Sequence, residues 1–168
     1  MVEESQELIM RIATAQDHQA AEDIRQASFE PVFASFKHIL GNKIYDLAQA
    51  EEDRAQEKLL AELFDENSEW ELYIAEYEGA PVGFLSLNLD PATHVGEIGL
   101  NAIHPDSTGN GLGTKMYEFA LQRMRESGMK VATVATGGDP SHHPARAAYR
   151  KAGFDKEIPS VWMCKLLD

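Results

Sequence analysis

One stretch limits what this chain can become: Ile98 to Gly113, reading IGLNAIHPDSTGNGLG. An apolar segment runs into His104-Pro105. A polar turn follows, and glycines then stand at alternate positions, Gly109, Gly111 and Gly113. Thr114 to Leu121, TKMYEFAL, is a good helix former. The order is strand, glycine-rich turn, helix. The first backbone N–H groups of a helix have no intrahelical partner. Glycine lets an anion approach them closely, and the helix dipole favours negative charge there. The stretch reads as a phosphate cradle. It is not a P-loop, because Gly113 is followed by Thr-Lys in the wrong order and spacing. Nor is it a dinucleotide fingerprint: the pattern is G-x-G-x-G, late in the chain, and no acid follows near Ala132 to Ala135.

The strand before the turn, Val95 to Ile103, contains Gly96 and Gly99. Glycine inside a strand marks a bulge or a close approach by another group. A strand opened at this point exposes its own N–H and C=O groups to an extended ligand. A cradle at its end then suits a long ligand with a pyrophosphate in its middle.

Around this centre the remaining patterns fall into order. Leu8 to Ile12 reads as a first strand, and Thr14 with Asp17 reads as a capped helix start. A helix runs from there to about Ala27. A second, imperfect helix covers Phe29 to Ala50 and breaks near Gly41-Asn42. A third covers Glu51 to Phe64. The cluster Phe29, Phe33 and Phe36 reads as core or substrate wall. Trp70 to Tyr77 and Val82 to Leu89 flank the turn Glu78-Gly79-Ala80-Pro81, a hairpin. After Val95 to Ile103 comes a long helix from about Gly111 to Glu126, with Gly128 just past its end. Met129 to Ala135 reads as a strand, Pro144 to Ala152 as a short helix, and Pro159 to Leu166 as a last strand. The order β-α-α-β-β-β-α-β-α-β, with about six strands, implies one α/β domain over residues 1–168. Its sheet is mixed, mostly antiparallel, and flanked by helices.

A net charge of −13 argues against nucleic acid as partner, which needs a basic footprint. It also means that a polyanionic ligand must be held by local donors. No apolar run reaches the ~20 residues of a membrane span, and Met1 to Ser5 is acidic, unlike a signal peptide. The single cysteine, Cys164, cannot form an internal disulfide. These features point to a cytoplasmic protein with no membrane association. Cys164, in the run Val161-Trp162-Met163-Cys164, reads as a buried core thiol. The sequence allows a homodimer and does not specify one.

The stretch Thr108-Gly109-Asn110-Gly111-Leu112-Gly113 resembles the pyrophosphate loop of the GNAT N-acetyltransferases, Gln/Arg-x-x-Gly-x-Gly/Ala, with Thr108 at the Gln/Arg position. A second stretch, Ala145 to Phe154, resembles that family's motif Asn-x-x-Ala-x-x-x-Tyr-x-Lys-x-Gly-Phe. Its Ala, Tyr, Lys and Gly-Phe positions match, and His142 stands where Asn is usual. The resemblance implies the acyl-CoA N-acyltransferase fold. It also implies transfer of an acetyl group from acetyl-CoA to an amine by direct attack in a ternary complex. The pyrophosphate would lie on Thr108, Gly109, Asn110, Gly111, Leu112, Gly113 and Thr114, with His142 and Tyr149 also against the cofactor. The backbone N–H near Ile103 would polarise the thioester carbonyl.

Tyr149 is the expected acid, since a phenol of pKa about 10 stays protonated at neutral pH and can protonate the departing thiolate. Glu97 on the opened strand is the first choice of base, with Asp139, His142 and His143 as alternatives. Those last three also raise a metal, but no wider ligand set accompanies them, so none is expected. No cysteine lies near the motifs, so a covalent acyl-enzyme lacks a nucleophile. The acceptor is a small-molecule or peptide amine. Eleven acids against Arg54 and Lys58 between Glu51 and Glu78 favour a cationic one. The alternatives are a non-catalytic acyl-CoA-binding sensor of the same fold and a nucleotide-binding module.

Overall fold

The computed structural model describes residues 7–167; the acidic start at Met1 to Ser5 lies outside them. Five strands form one sheet in the order β1-β2-β3-β4-β5: Ile9–Ile12, Glu71–Tyr77, Ala80–Asp90, Val95–Ile103 and Val131–Val134. The first four pair antiparallel, and β5 runs parallel to β4. The β2–β3 hairpin forms because Glu78 and Gly79 both take positive φ, the conformation that a tight two-residue turn demands. Five helices accompany the sheet: α1 His18–Leu40, α2 Asn42–Ala48, α3 Ala50–Leu63, α4 Leu112–Glu126 and α5 His143–Ala152.

Alternation along the strands makes two cores. Tyr73, Leu85, Leu87 and Ile98 pack on one face against Leu112, Met116, Ala120 and Met124 of α4 and Tyr149 of α5. Ile74, Phe84 and Ala102 pack on the other against Ala21 and Ile24 of α1 and Leu60 of α3. Ion pairs hold the rims. Arg11 reaches Asp17 at 2.7 Å and Glu76 at 2.8 Å, and Asp17 also accepts the Thr14 N–H at 2.7 Å, as the capping pattern predicts. Arg123 of α4 is paired with Glu71 of β2. No described helix is long and apolar enough to cross a membrane.

Three expectations need correction. The break expected near Ala27 does not occur: α1 continues through Pro31 to Leu40, and the chain turns only at Gly41, φ 73°. Proline removes one N–H, but the turns before it are anchored. Ile24 is buried below it, and Ser28 donates to the Ile103 carbonyl at 2.8 Å. The last strand, Pro159 to Leu166, is absent: residues 154–167 carry no regular structure, and every residue from Asp155 to Leu167 is exposed. A strand needs a neighbour to complete its hydrogen bonds, and none meets this segment. For the same reason Cys164 is exposed, not a core thiol.

Candidate active site

The site grows from a mismatch between two ladders. β3 follows β4 along its whole length, from Asp90↔Val95 to Gly83↔Ile103. β5 follows β4 only from Val95↔Val131 to Ile98↔Val134. Beyond Ile98 the two parallel strands part, and Gly99 to Ile103 has a strand partner on one side only. At the parting point β4 bulges: Leu85 pairs with Asn101 and Leu87 with Ile98, so Gly99 and Leu100 together face Ser86. Glycine is required there, because a Cβ at Gly99 would lie 2.4 Å from the Trp70 ring and 2.7 Å from Ser86 Oγ. The sequence reading of Gly99 as a bulge glycine is borne out.

The opened strand leads into the glycine turn. Gly109 (φ 86°) and Gly111 (φ 72°) are left-handed, and a Cβ on either would meet nothing within 4 Å. Gly111 caps α4 with no side-chain hydrogen bond, and the first intrahelical bond is Lys115 N–H to Gly111 O, 3.1 Å. The N–H groups of Leu112, Gly113 and Thr114 therefore have no intrahelical acceptor. Gly113 lies against α5, where its Cβ would be 3.9 Å from that of Ala148. Small residues thus face each other where the two helices meet. Thr108 does not point a free hydroxyl into it: Oγ1 donates to the Pro105 carbonyl at 2.8 Å. Asn110 is exposed at the tip of the turn.

Tyr149 sits beside the opened strand, only 6% exposed, its ring 4.3 Å from Tyr117 and 5.8 Å from Phe154. The bulge turns Asn101 toward it. Asn101 Nδ2 donates to the Gly99 carbonyl at 2.9 Å and to Tyr149 Oη at 3.1 Å, while Oδ1 accepts from Tyr117 Oη at 2.9 Å. The Tyr149 oxygen accepts from Asn101 Nδ2, and its own hydroxyl makes a long bond, 3.5 Å, to Asn101 Oδ1. Burial pushes the Tyr149 phenol above its ordinary value of 10, partly offset by Tyr117 and Asn101; burial pushes Tyr117 further still. Both are neutral phenols across the physiological range.

The loop after β5 is pinned to α1. Asp139 accepts from Ser35 Oγ at 2.9 Å and from the Ser141 N–H at 3.1 Å, and pairs closely with His142. Burial alone would raise the Asp139 carboxyl; the hydrogen bonds from Ser141, His142 and Ser35 bring it down to about 2. His142 stacks on Phe36 at 6.0 Å, and Arg146 donates to the Asp139 carbonyl at 2.9 Å. Phe36 thereby belongs to the wall of this loop. His143 is exposed at the start of α5. Among the described residues no three His, Cys, Asp or Glu side chains gather as a metal site.

Glu97 lies just before the parting point, opposite Thr133 in the last closed part of the β4–β5 ladder, and is exposed. Its neighbour Ile98 faces the α4 side, so Glu97 faces the α1–α3 side, across the strand from Tyr149. The structure thus gathers the glycine turn, Ile103, Asn101 and Tyr149 around one opening and sets Glu97 at its closed end. Asn101, Tyr117 and Ser35 were not singled out from sequence. Asn101 had a signal, a lone polar residue within the apolar strand Ile98 to Ile103.

Comparison with known proteins follows this geometry. The model of the acetyltransferase (GNAT) family matches residues 41–154. The mycothiol acetyltransferases of Saccharomonospora viridis and Sanguibacter keddieii are each 34% identical to the chain, over 85 and 100 residues. The alignments cover 46% and 56% of this chain but only 27% and 31% of those proteins, so the chain spans less than a third of their length. The PaiA N-acetyltransferase of Thermoplasma acidophilum, solved with coenzyme A, superposes with a TM-score of 0.68 over 92% of this chain and 93% of that one. Its 18% identity makes this a likeness of fold.

Proposed function

The chain belongs to the GNAT family of acetyltransferases, and we propose that it transfers the acetyl group of acetyl-CoA to an amine within a ternary complex. The observation that carries the reading is the opening of β4 beyond Ile98, which runs directly into the unpartnered N–H groups at the start of α4. An extended thioester ligand can pair with the free edge of Gly99 to Ile103 as a further strand would. Its pyrophosphate then rests on the N–H groups between Gly109 and Thr114, where the helix dipole offsets its charge.

The amine attacks the thioester carbonyl, a backbone N–H near Ile103 stabilises the developing oxyanion, and the C–S bond breaks. Tyr149 donates its proton to the departing thiolate, a role suited to a phenol held neutral by burial and oriented by Asn101. Glu97 takes the amine's proton, directly or through a water. That Glu97 lies across β4 from Tyr149 supports acid and base acting from opposite sides of the reacting carbonyl. The Asp139–His142 pair, tied to Ser35 and Phe36 of α1, closes the loop side of the site.

The acceptor class follows from charge. Of the eleven acids between Glu51 and Glu78, Asp53, Glu71 and Glu76 are bound by Tyr45, Arg123 and Arg11; the other eight are exposed. That exposed surplus favours a protonated amine. The test is release of free CoA thiol from acetyl-CoA with a panel of cationic, neutral and anionic amines. Thiol release with a cationic amine is expected. Tight CoA binding without thiol release for any amine would make the protein an acyl-CoA sensor instead.

A further inference from the structure

A protonated amine loses two protons on its way to an amide. One must leave the ammonium before its nitrogen has a lone pair to attack with. The second leaves the positively charged nitrogen of the tetrahedral intermediate. Glu97 serves for one of them, and the other still needs a base.

The loop after β5 holds an imidazole with no freedom to turn. Asp139 pairs closely with His142 Nδ1, and Phe36 of α1 stacks on the ring at 6.0 Å and 27°. At Gly137 a Cβ would lie 2.7 Å from both His142 Cε1 and Asp139 Oδ1, so the pair fills the space that a side chain would need. Asp139 is anchored in turn by Ser35 Oγ at 2.9 Å and the Ser141 N–H at 3.1 Å. Against the push of burial, the hydrogen bonds to its carboxyl hold it at about 2, ionised at neutral pH. A carboxylate on Nδ1 keeps a proton there and leaves the lone pair of the neutral ring on Nε2. Among the described residues none bonds Nε2, and no buried side-chain nitrogen lacks a partner, so Nε2 reaches solvent. An immobilised imidazole with an accessible lone pair has the form of a general base.

The pair also lies at one end of the gap between the parted strands. Helix α1 is fastened to both sides of it: Ser28 to the Ile103 carbonyl at the open end of β4, Ser35 to Asp139 beyond β5. Ser28 and Ser35 share one face of α1, two turns or about 10 Å apart. Ile103, where the thioester carbonyl is proposed to sit, and the Asp139–His142 pair thus stand at the two ends of that span.

We propose that His142 is a second catalytic base, which takes the first proton from the ammonium of a cationic acceptor, with Asp139 as its positioning residue. The assignment rests on the acetyl-transfer reading above. The ammonium passes a proton to Nε2, and Asp139 offsets the charge of the imidazolium. The free amine attacks the carbonyl, the C–S bond breaks, Tyr149 protonates the thiolate and Glu97 takes the second proton. The proton on Glu97 replaces the one that Tyr149 gave, and the one on His142 passes to solvent. One ammonium and one acetyl-CoA become one amide, one thiol and one proton. The Asn usual at this position of the resembled motif cannot do this, because an amide nitrogen has no basic lone pair.

The test is thiol release by wild type and His142→Asn with two small amines at neutral pH. One is 1,4-diaminobutane, which is protonated; the other is 2,2,2-trifluoroethylamine, which is largely neutral and has no first proton to lose. The variant should keep the wild-type circular dichroism and CoA affinity. Its turnover should fall about 10²-fold with the protonated amine and change little with the neutral one. Added imidazole should restore release by His142→Ala with 1,4-diaminobutane, in proportion to its concentration. Wild-type turnover in His142→Asn would overturn the assignment and leave acetyl transfer standing. So would an equal loss with both amines, a CoA affinity that falls with turnover, or an absence of rescue, each of which makes His142 a packing or cofactor contact. No thiol release by the wild type with any amine of the wider panel would remove the acetyl-transfer reading and this assignment together.

Discussion

Tyr149 shows how much of a residue's chemistry comes from its neighbours. Two facts support the proposed donor role of its phenol: burial keeps it protonated, and Asn101 donates to its oxygen at 3.1 Å while accepting its proton only at 3.5 Å. Tyr149→Phe removes only the hydroxyl. Turnover should fall by about 10²–10⁴ while acetyl-CoA affinity, read by calorimetry, changes little. Wild-type turnover in that variant would make Tyr149 a packing residue. Because its pKa is raised, the acid form is lost only above pH 10, so at saturating acceptor the turnover should show no alkaline decline below that pH. Asn101→Ala should lower turnover about tenfold, with the Michaelis constant for acetyl-CoA unmoved, since it repositions the phenol without touching the cradle.

Asp17 is the matching case for stability. Its carboxyl is held below its ordinary value of 3.8, chiefly by the hydrogen bonds from Arg11 and against the push of burial. A depressed carboxyl stabilises the fold above that ordinary value and loses its contribution as pH falls through the folded-state value. Asp17→Asn should cost about 1–2 kcal/mol at neutral pH, a figure reduced because Arg11 is part-exposed. Urea denaturation should show wild type and variant converging as pH drops below 3.8.

At the scale of elements, two glycines have opposite reasons to exist. Gly99 is needed for lack of space: Trp70 and Ser86 fill the place of a side chain. Gly99→Ala should destabilise by about 1–3 kcal/mol through overpacking at the bulge, measured by chemical denaturation. Gly111 is needed for its backbone, at φ 72° with open space beyond. Gly111→Asp fits sterically but adds strain and a negative charge where the pyrophosphate should sit. It should weaken CoA binding by at least about tenfold, or ~1.4 kcal/mol, in a folded protein. Unchanged affinity by calorimetry would remove the cradle from the α4 N-terminus. Helix α1 carries the converse lesson. Pro31 breaks its hydrogen-bond ladder, yet α1 stays whole because packing on β3 and β4 outweighs one lost bond.

Over the whole molecule the charge is uneven. The eight exposed acids between Glu51 and Glu78 lie on α3 and the turns that follow, while the proposed cradle at the start of α4 is made of backbone N–H groups. Exposed charges are screened beyond ~8 Å at physiological salt. The acceptor's apparent Michaelis constant should therefore rise with added salt, and more steeply than that for acetyl-CoA. A best acceptor that is neutral or anionic, with no such dependence, would return the acidic surface to solubility alone.

The amino-acid sequence by itself determined the parts whose signals are local. Short apolar runs marked the five strands of the sheet, glycine spacing marked the turn before α4, and Gly128 and Gly153 marked helix ends at positive φ. The length of α1 was not legible, because Pro31 is a local stop signal that only packing overrides. Asn101 could not be given a role from the sequence, since its amide meets Tyr117 and Tyr149 only after the bulge turns β4 by one residue. Glu97 was legible as an acid beside Ile98, but its face was not, because that depends on where β5 stops following β4. The segment Pro159 to Leu166 has the composition of a strand, yet composition cannot supply a neighbour. Whether a strand exists is decided by what lies beside it, and that belongs to tertiary structure.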